Sequence, residues 1–368
     1  MARFDPIASL KPHIHKLPPY EALEDMDELA STYGFEPSEM LKLDGNENPF
    51  GPSPKALAAL QSDYGADRYA DAAQFRLRTA ISGYIGVPAE NIVAGAGSDE
   101  LIDLIFRLWV GVDDTVVTAG PTFGMYAFDS GLNGSAIVDV PRLDDWSVDG
   151  EALLAAARDA RAVFLASPNN PTGNLLQPGL LDALLETGAL IVLDEAYIEF
   201  AEAESAAVRA TSEPALIVLR TFSKWGGIAG MRVGYATGVS ESIDVMLRAK
   251  QPYNISAASQ AAALASLEDI EVLNERALVL VAERDRMADA MRRAEYLEPF
   301  PSDGNFLLVR VLDGRSGHEV SEALRQRGIF VRVYSTPRLE DCFRISMGTP
   351  EQNERIIAAI AEIGAING

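Results

Sequence analysis

One lysine, Lys224, stands alone in the long stretch of chain between Lys55 and Lys250. The sequence has six lysines against 25 arginines, so a lysine at this position suggests chemistry that arginine does not perform. Arginine stays protonated, whereas a desolvated lysine can lose its proton and form an imine with a carbonyl group. The alternative is an ordinary lysine on a surface turn. We interpret Lys224 as a candidate for covalent catalysis.

The residues around Lys224 favour a ligand that carries a phosphate group. The segment TFSKWGGIAGMR places hydroxyl groups at Thr221 and Ser223, three glycines after the lysine, and a guanidinium at Arg232. Hydroxyl groups and a guanidinium bind a phosphate dianion, and glycines let the backbone approach it closely. This segment is therefore typical of a site for a phosphate-bearing aldehyde.

Two other apolar runs also end in polar residues. ALIVLDEAYIEF brings Asp194 to the end of a predicted strand, with Tyr197 three residues later, and AVFLASPNNPTGN places Asn170 in a turn. A carboxylate keeps a pyridine nitrogen protonated, and an amide can donate a hydrogen bond to a phenolic oxygen. Alternatives for Asp194 are a helix N-cap or a metal ligand beside Glu195, but a metal lacks companion ligands.

A fourth strand end, IVAGAGSDELIDLIFRLW, combines glycines with a helix start. Gly97 precedes Ser98 and Asp99, and helix N-terminal amides with a serine hydroxyl bind phosphate readily. The dinucleotide fingerprint fails because position 100 is Glu, and no Walker Lys-Ser/Thr pair is present. Shortly after the next predicted strand, Phe123 offers a flat apolar face on which a ring could stack.

Seven short apolar, β-branched runs predict the element that positions these residues. Separated by helical patterns, they indicate a three-layer αβα domain around a mostly parallel, seven-stranded sheet. Polar residues at the carboxyl ends of such strands gather at one edge of the sheet. The runs begin at Asn91, Thr115, Ala136, Ala162, Ala189, Ala215 and Val233.

Composition changes along the chain predict its domain organisation. Beyond Arg248 long helical patterns are followed by two short strand-like segments and a last helix, which indicates a smaller α+β domain. We predict an N-terminal arm and small-domain segment over residues 1–40, a large ligand-binding domain over 41–265, and a small C-terminal domain over 266–368.

Charge and cysteine content exclude several classes of partner. A net charge of -23 argues against nucleic acids and anionic membrane surfaces. The single cysteine, Cys342, allows no internal disulfide, and no apolar run has the length of a signal peptide or membrane span. His13 and His15 lack a third ligand, so no metal site is predicted. A cytoplasmic protein fits these features best.

In their order and combination, these motifs resemble the fold-type I aminotransferases that depend on pyridoxal 5'-phosphate, and within them the histidinol-phosphate aminotransferases. The resemblance covers nearly the whole chain. Its motifs include LDGNENPFGPSP from Leu43, RYAD from Arg68, GSDELI from Gly97, PTFGMY from Pro121, NNPTGN from Asn169, DEAYIEF from Asp194, TFSKWGGIAGMRVGY from Thr221, PYNIS from Pro252, NFLLV from Asn305 and FRISMGTPEQN from Phe343.

The resemblance implies a role for each candidate cofactor residue. Lys224 holds the cofactor as a Schiff base and moves the proton during catalysis, Asp194 pairs with the pyridine nitrogen, and Asn170 and Tyr197 hold the phenolic oxygen. Phe123 stacks on the ring. The phosphate is bound by Gly97, Ser98, Asp99, Thr221, Ser223 and Arg232, and by Tyr69 of the neighbouring subunit in a homodimer.

The resemblance also implies a substrate and a reaction. Arg344 matches the arginine that holds the substrate's carboxylate or phosphate, and Arg332, Tyr20 and Tyr253 match further substrate contacts. The implied reaction moves the amino group of L-histidinol phosphate to 2-oxoglutarate and yields imidazole acetol phosphate and L-glutamate in histidine biosynthesis. Two features depart from the family pattern: Trp225-Gly226-Gly227 replaces the frequent Ala-Phe-Gly, and Gly45 stands where many relatives have Ala.

Three alternative functions stay open at the level of sequence. An aromatic amino acid aminotransferase would have an apolar rather than an arginine-bearing end of its substrate pocket. Related enzymes with similar motifs decarboxylate threonine phosphate. A non-catalytic binding protein would have lost Lys224 or Asp194, and this chain keeps both.

Overall fold

A computed structural model describes residues 4–18 and 24–365 of the chain. Predicted site residue Tyr20 lies outside the described residues. The strands of the described part are β1 (Leu41–Lys42), β2 (Ile92–Gly95), β3 (Thr115–Gly120), β4 (Ala136–Pro141), β5 (Ala162–Ala166), β6 (Leu190–Asp194), β7 (Leu216–Thr221), β8 (Gly234–Thr237), β9 (Leu297–Pro299), β10 (Phe306–Val311), β11 (Ile329–Phe330), β12 (Arg332–Val333) and β13 (Cys342–Ser346).

Helices cover both faces of the larger sheet and link its strands. None of the described helices is long and apolar enough to cross a membrane. They are α1 (Met26–Tyr33), α2 (Pro54–Gln61), α3 (Phe75–Ile85), α4 (Ser98–Trp109), α5 (Met125–Asn133), α6 (Gly150–Ala157), α7 (Leu180–Leu185), α8 (Ala207–Ala210), α9 (Ser240–Ala249), α10 (Ala257–Leu267), α11 (Ile270–Arg293), α12 (Gly317–Arg325) and α13 (Pro350–Ala365).

The larger sheet has seven strands in the order β2-β8-β7-β6-β5-β3-β4. Strand β8 runs antiparallel to both of its neighbours, and all other pairs are parallel. Strands β2, β5, β7 and β8 are buried along their whole length, which explains why they are continuous apolar runs rather than alternating ones. All seven predicted runs form strands of this sheet, so the predicted fold is confirmed.

The topology brings four polar segments to one edge of the sheet. Strands β2, β5, β6 and β7 point in the same direction, so the residues after Gly95, Ala166, Asp194 and Thr221 meet there. Helix α4 begins at this edge, and its buried face of leucine, isoleucine and phenylalanine packs on the sheet. The sheet edge therefore carries the polar groups, and the apolar layers hold it in place.

The C-terminal part forms a smaller antiparallel sheet in the order β12-β13-β10-β9. The 24-residue helix α11 leads into it and packs against β9 and α13. The short strand β1 pairs with β11, so residues 41–42 lie against the C-terminal part of the chain. The domain bounds at residues 40 and 265 stay predictions.

Phe164 on β5 provides a test of the core beneath the sheet edge. Its ring is fully buried and stacks on Phe106 of α4 at 4.8 Å between ring centroids, and it also contacts Tyr126 of α5 at 5.5 Å. We expect Phe164→Ala to lower the free energy of unfolding by about 3–5 kcal/mol because it leaves a cavity between sheet and helices. Urea unfolding followed by tryptophan fluorescence measures the change.

The matched control is Val208→Ala, since Val208 is 57% exposed. This variant is expected to stay within about 0.5 kcal/mol of the parent protein. Equal unfolding midpoints for Phe164→Ala and Val208→Ala would contradict the packing described above.

Candidate active site

A cavity of about 830 Å³ opens at the edge of the sheet where the polar segments meet. Its wall also includes residues 44–47 and Tyr334 from outside the larger sheet. The structure brings twelve of the predicted site residues to this one cavity: Ser98, Asp99, Phe123, Asn170, Asp194, Tyr197, Thr221, Ser223, Lys224, Arg232, Arg332 and Arg344.

Lys224 lies in the loop after β7, where burial changes the chemistry of its amine. Its Nζ donates a hydrogen bond of 2.8 Å to the carbonyl of Gly45 and lies 5.9 Å from the centroid of the Tyr197 ring. Burial, together with the positive charge of Arg344, lowers the pKa of Lys224 to about 8. A substantial fraction of the amine is therefore unprotonated, and nucleophilic, at mildly alkaline pH.

Asp194 occupies the last position of β6 and is buried below the cavity. Its Oδ2 accepts a hydrogen bond of 2.8 Å from the hydroxyl of Tyr126, and its Oδ1 accepts one of 3.0 Å from the amide of Ala196. Burial raises the pKa of Asp194 to about 6, while these two hydrogen bonds oppose the rise. The carboxyl is thus ionised at neutral pH in a fixed orientation.

Tyr197 and Asn170 lie on the cavity wall and are held by neighbouring polar groups. The Tyr197 hydroxyl accepts a hydrogen bond of 3.0 Å from Asn46 Nδ2, and burial raises the pKa of Tyr197 to about 12. Asn170 Oδ1 accepts a hydrogen bond from Arg344 Nη1. The amide nitrogen of Asn170 lies at the other end of the same planar group. Both residues keep donor groups that a ligand oxygen in the cavity could accept from.

A group of cationic and hydroxyl donors lies between β7 and the start of α4. Arg232 Nη2 lies 2.6 Å from Asp99 Oδ2, and Arg232 Nη1 lies 3.5 Å from Ser223 Oγ. Thr221 Oγ1 donates to Ser223 Oγ at 2.9 Å. Gly97 does not line the cavity, but its φ of +83° and its closeness to Arg232 make a side chain unfavourable: a Cβ there would lie 2.4 Å from Arg232 Nη2.

Two arginines from the smaller sheet face the cavity. Arg332 of β12 and Arg344 of β13 are directly opposite each other in the antiparallel register, which places both side chains on the same face of that sheet. Arg344 Nη2 donates to the carbonyl of Asp44, and its Nε is buried without a hydrogen-bond partner in the described structure. This end of the cavity therefore carries positive charge.

Tyr69 and Tyr253, two further predicted site residues, lie outside this cavity. Their rings stack on each other with centroids 4.3 Å apart, and Tyr69 is 82% exposed while Tyr253 is 51% exposed. Both line a shallow surface groove of about 400 Å³. Within one chain the structure does not bring this tyrosine pair together with Lys224.

Three residues in or beside the cavity were not predicted from the sequence. Asn46 holds the Tyr197 hydroxyl, Tyr126 holds Asp194, and the partly buried Tyr334 lines the cavity beside Arg332 and Arg344. Asn46 and Tyr126 fall within the motifs LDGNENPFGPSP and PTFGMY, which was the available signal. No sequence motif indicated Tyr334, because its place on the cavity wall depends on the path of the chain after β12.

Metal ligands are not grouped anywhere in residues 4–18 and 24–365. No set of three or more His, Cys, Asp or Glu side chains there has the arrangement of a metal site.

Comparison with known proteins identifies the class to which this fold and cavity belong. Residues 38–360 match the family model described as aminotransferase class I and II. The chain belongs to this family, and the prediction of a fold-type I aminotransferase is confirmed.

Among curated relatives, the sequence is similar to histidinol-phosphate aminotransferases. It is 43% identical to that of Roseiflexus castenholzii over 96% of this chain and 98% of that protein. It is 38% identical to the chloroplastic enzyme of Nicotiana plumbaginifolia over 96% of this chain and 86% of that protein. The solved structure of histidinol-phosphate aminotransferase from Sinorhizobium meliloti in complex with pyridoxal-5'-phosphate superposes with a TM-score of 0.89 at 31% identity, covering 98% and 99% of the two chains.

The lowered pKa of Lys224 can be measured through the reactivity of its amine. We expect acylation of Lys224 in ligand-free protein to increase as pH rises through about 8, because only the unprotonated amine reacts. Replacing Arg344 by Gln removes a positive charge that lowers this pKa, so the midpoint should move toward the ordinary value of 10.5. Mass spectrometry of the Lys224 peptide after timed labelling gives both midpoints.

Arg248→Gln is the control for loss of a positive charge elsewhere, since Arg248 pairs with Asp244 on an exposed face of α9. Its labelling midpoint should equal that of the parent protein. A midpoint for the parent protein near 10.5, or one that Arg344→Gln leaves unchanged, contradicts the electrostatic description of the cavity.

Proposed function

We propose that this aminotransferase transfers the amino group of L-histidinol phosphate to 2-oxoglutarate and forms imidazole acetol phosphate and L-glutamate, a step of histidine biosynthesis. The single observation that carries this proposal is the pair Arg332 and Arg344 at one end of a cavity that also contains Lys224. The names of the relatives support it. The phosphate dianion of L-histidinol phosphate can pair with both guanidinium groups, whereas an aromatic amino acid brings a single carboxylate charge, which disfavours the aromatic amino acid aminotransferase.

Pyridoxal 5'-phosphate is the cofactor that the cavity fits. It supplies an aldehyde that condenses with amines and a protonated pyridine ring that withdraws electrons from the substrate carbon. The cavity offers what such a molecule needs: an amine at Lys224, a buried carboxylate at Asp194, an apolar face at Phe123, and a group of anion-binding donors around Arg232. The complex of the Sinorhizobium meliloti relative supports the same cofactor.

Asp194 would hold the pyridine nitrogen in its protonated form. Its pKa near 6 means that it carries a negative charge at neutral pH, and Tyr126 and Ala196 keep the carboxylate in one orientation. Burial strengthens the interaction of this charge with a ring proton because the surroundings screen it weakly. Tyr197 and Asn170 would donate to the phenolic oxygen from the cavity wall.

Lys224 would take a proton from the substrate carbon that bears the amino group and return it to the aldehyde carbon of the cofactor, on the other side of the nitrogen. Its lowered pKa suits a base near neutral pH, because an amine with an ordinary pKa of 10.5 would be almost fully protonated. The carbonyl of Gly45, 2.8 Å from Nζ, accepts a hydrogen bond and so orients the amine.

The phosphate of the cofactor would be bound between β7 and α4. Helix α4 presents its first amides and the Ser98 hydroxyl, and its dipole favours negative charge at this end. Because Gly97 has no Cβ, the Arg232 guanidinium can lie close to the backbone at the start of α4. The donors proposed for the phosphate are Gly97, Ser98, Asp99 through its amide, Thr221, Ser223 and Arg232.

Arg332 and Arg344 would bind the anionic groups of the two substrates in turn. Histidinol phosphate presents a phosphate and 2-oxoglutarate presents two carboxylates, and guanidinium groups bind both kinds of anion with paired hydrogen bonds. Tyr20 and Tyr253 are further substrate contacts in this proposal. The enzyme would thus accept two different molecules at one positive end of the cavity.

A homodimer would complete the site. Tyr69 is exposed, stacked on Tyr253, and located beside a surface groove rather than in the cavity of its own chain. In the proposed dimer Tyr69 reaches the cofactor phosphate of the neighbouring subunit. A single cysteine and an acidic composition fit a cytoplasmic location for this enzyme.

The substrate proposal is tested with a panel of amino donors and 2-oxoglutarate as acceptor. We expect kcat/KM for L-histidinol phosphate to exceed that for L-phenylalanine by at least about 100-fold, because a phosphate dianion can pair with both guanidinium groups whereas the carboxylate of phenylalanine carries a single charge. A coupled assay for glutamate measures both values under the same conditions. A higher kcat/KM for phenylalanine would favour the aromatic aminotransferase instead.

The role of Lys224 is tested by Lys224→Ala. We expect turnover to fall by at least roughly 10⁴-fold, since the variant lacks the amine that moves the proton. Part of the cofactor should still be bound, because the proposed phosphate donors are intact. Activity assays and the visible absorption of gel-filtered protein measure the two effects.

Lys55→Ala serves as the control, since Lys55 is exposed and lies on α2. It is expected to keep parental activity and colour. Full activity in Lys224→Ala, or a parent protein that stays colourless after incubation with pyridoxal 5'-phosphate, would overturn the proposed mechanism.

A further inference from the structure

A polar network lies behind the turn that joins β2 to α4, on the side away from the cavity. It consists of Gln74, Glu100, Lys250 and Asn254, and we call it the turn network. Glu100 Oε2 accepts hydrogen bonds from the amide of Ala96 at 2.6 Å and from Asn254 Nδ2 at 2.7 Å. None of the four residues lines the cavity.

The orientation of Asn254 at the centre of the network is fixed by its neighbours. Its Oδ1 accepts from Gln74 Nε2 at 2.9 Å and from Lys250 Nζ at 3.3 Å, and its Nδ2 donates to Glu100 at 2.7 Å. Reversing the amide would place donor against donor on one side and acceptor against acceptor on the other. The hydrogen bonds of Asn254 with Gln74, Lys250 and Glu100 are therefore coupled through the orientation of one amide group.

The network holds both ends of the turn. Gln74 Nε2 donates a hydrogen bond of 2.9 Å to the carbonyl of Ala94, and the backbone amide of Ala94 donates one of 3.1 Å to Gln74 Oε1. The side-chain amide of Gln74 thus pairs with Ala94 as the backbone of a neighbouring strand would. Glu100 holds the amide of Ala96 from the other side. Between these points the chain passes through Gly97 at a φ of +83° and enters α4 at Ser98.

The negative charge of Glu100 disfavours the binding of an anion nearby, so the presence of this carboxylate needs another explanation. Like charges repel across weakly screened surroundings, so a glutamate in the first turn of α4 weakens the attraction of that helix end for phosphate. The positive charge of Lys250 offsets part of the negative charge of Glu100. The interaction also acts on Lys250, since the charge of Glu100 opposes the lowering of the Lys250 pKa by burial. Glu100 therefore contributes to an anion site by holding the backbone at Ala96 and not by attracting the anion.

We propose that Glu100, through Asn254 and Gln74, is a positioning residue that fixes the 95–98 turn in the shape that binds the phosphate group of the cofactor. This inference rests on the proposed function, since it assumes that the cofactor phosphate lies at the start of α4. Glu100 touches neither cofactor nor substrate and acts through the backbone of Ala96 and the residues that follow it.

The test compares two aldehydes that differ only in the phosphate. Full-length protein freed of cofactor is titrated with pyridoxal 5'-phosphate and with pyridoxal, and the visible absorption gives a dissociation constant for each. We expect Glu100→Gln to weaken pyridoxal 5'-phosphate by about 10- to 100-fold and pyridoxal by less than about 3-fold. The glutamine keeps the size of the side chain, but a neutral amide oxygen replaces the charged Oε2 atom that accepts from both Ala96 and Asn254, so both hydrogen bonds become weaker.

Glu151→Gln is the matched control, because Glu151 is an exposed glutamate in the first turn of another helix, α6. It should leave both dissociation constants unchanged. Asn254→Ala, which removes the amide that donates to Glu100 without adding a charge, should repeat the selective loss. If Glu100→Gln does not fold, Asn254→Ala and Asn254→Ser decide the question by the same ratio.

The outcomes separate this inference from the proposed function. A parent protein that binds neither aldehyde, or binds both equally, overturns the cofactor proposal itself. A parent protein that prefers pyridoxal 5'-phosphate, with a preference that Glu100→Gln and Asn254→Ala leave intact, overturns only the role of Glu100. Equal weakening of both aldehydes also overturns it, because a general loss of structure does not discriminate by phosphate.

Discussion

The parallel pairing of β5, β6 and β7 is the constraint on which the rest of the site depends. Because these strands point the same way, residues far apart in sequence leave the sheet at a single edge: Asn170 after β5, Asp194 at the end of β6, and Lys224 after β7. Their backbones are held by the sheet's hydrogen bonds and by apolar layers on both faces. The polar side chains of the site are therefore positioned by an apolar sheet and its helices.

Burial at this edge gives two ordinary side chains unusual chemistry, and it does so in opposite directions. It lowers the pKa of Lys224 to about 8 and raises that of Asp194 to about 6, since low dielectric surroundings disfavour the charged form of each. Both shifts move the groups toward neutral pH. The hydrogen bonds from Tyr126 and Ala196 limit the rise at Asp194, so a charged carboxylate and an amine that loses its proton readily are present in the same cavity.

The positive end of the cavity comes from a different part of the chain. Arg332 and Arg344 belong to the smaller sheet, and their side chains meet the larger sheet only because the two parts pack together along residues 41–46. Asn46 takes part in the same junction, as it bonds both Tyr197 and Ser346. The substrate end of the site therefore depends on the contact between the two sheets rather than on either sheet alone.

The sequence by itself determined the seven strands of the larger sheet, the aminotransferase class and the residues that gather at the cavity, because buried parallel strands appear as continuous apolar runs and their polar ends stand out against them. Only the tertiary structure decided how those residues are held. Tyr126 beside Asp194, Asn46 beside Tyr197 and the network of Glu100 join positions separated by up to 180 residues, and no periodicity encodes such pairs. Tyr69 and Tyr253 likewise required coordinates, since only the structure shows that their rings stack on each other at an exposed position.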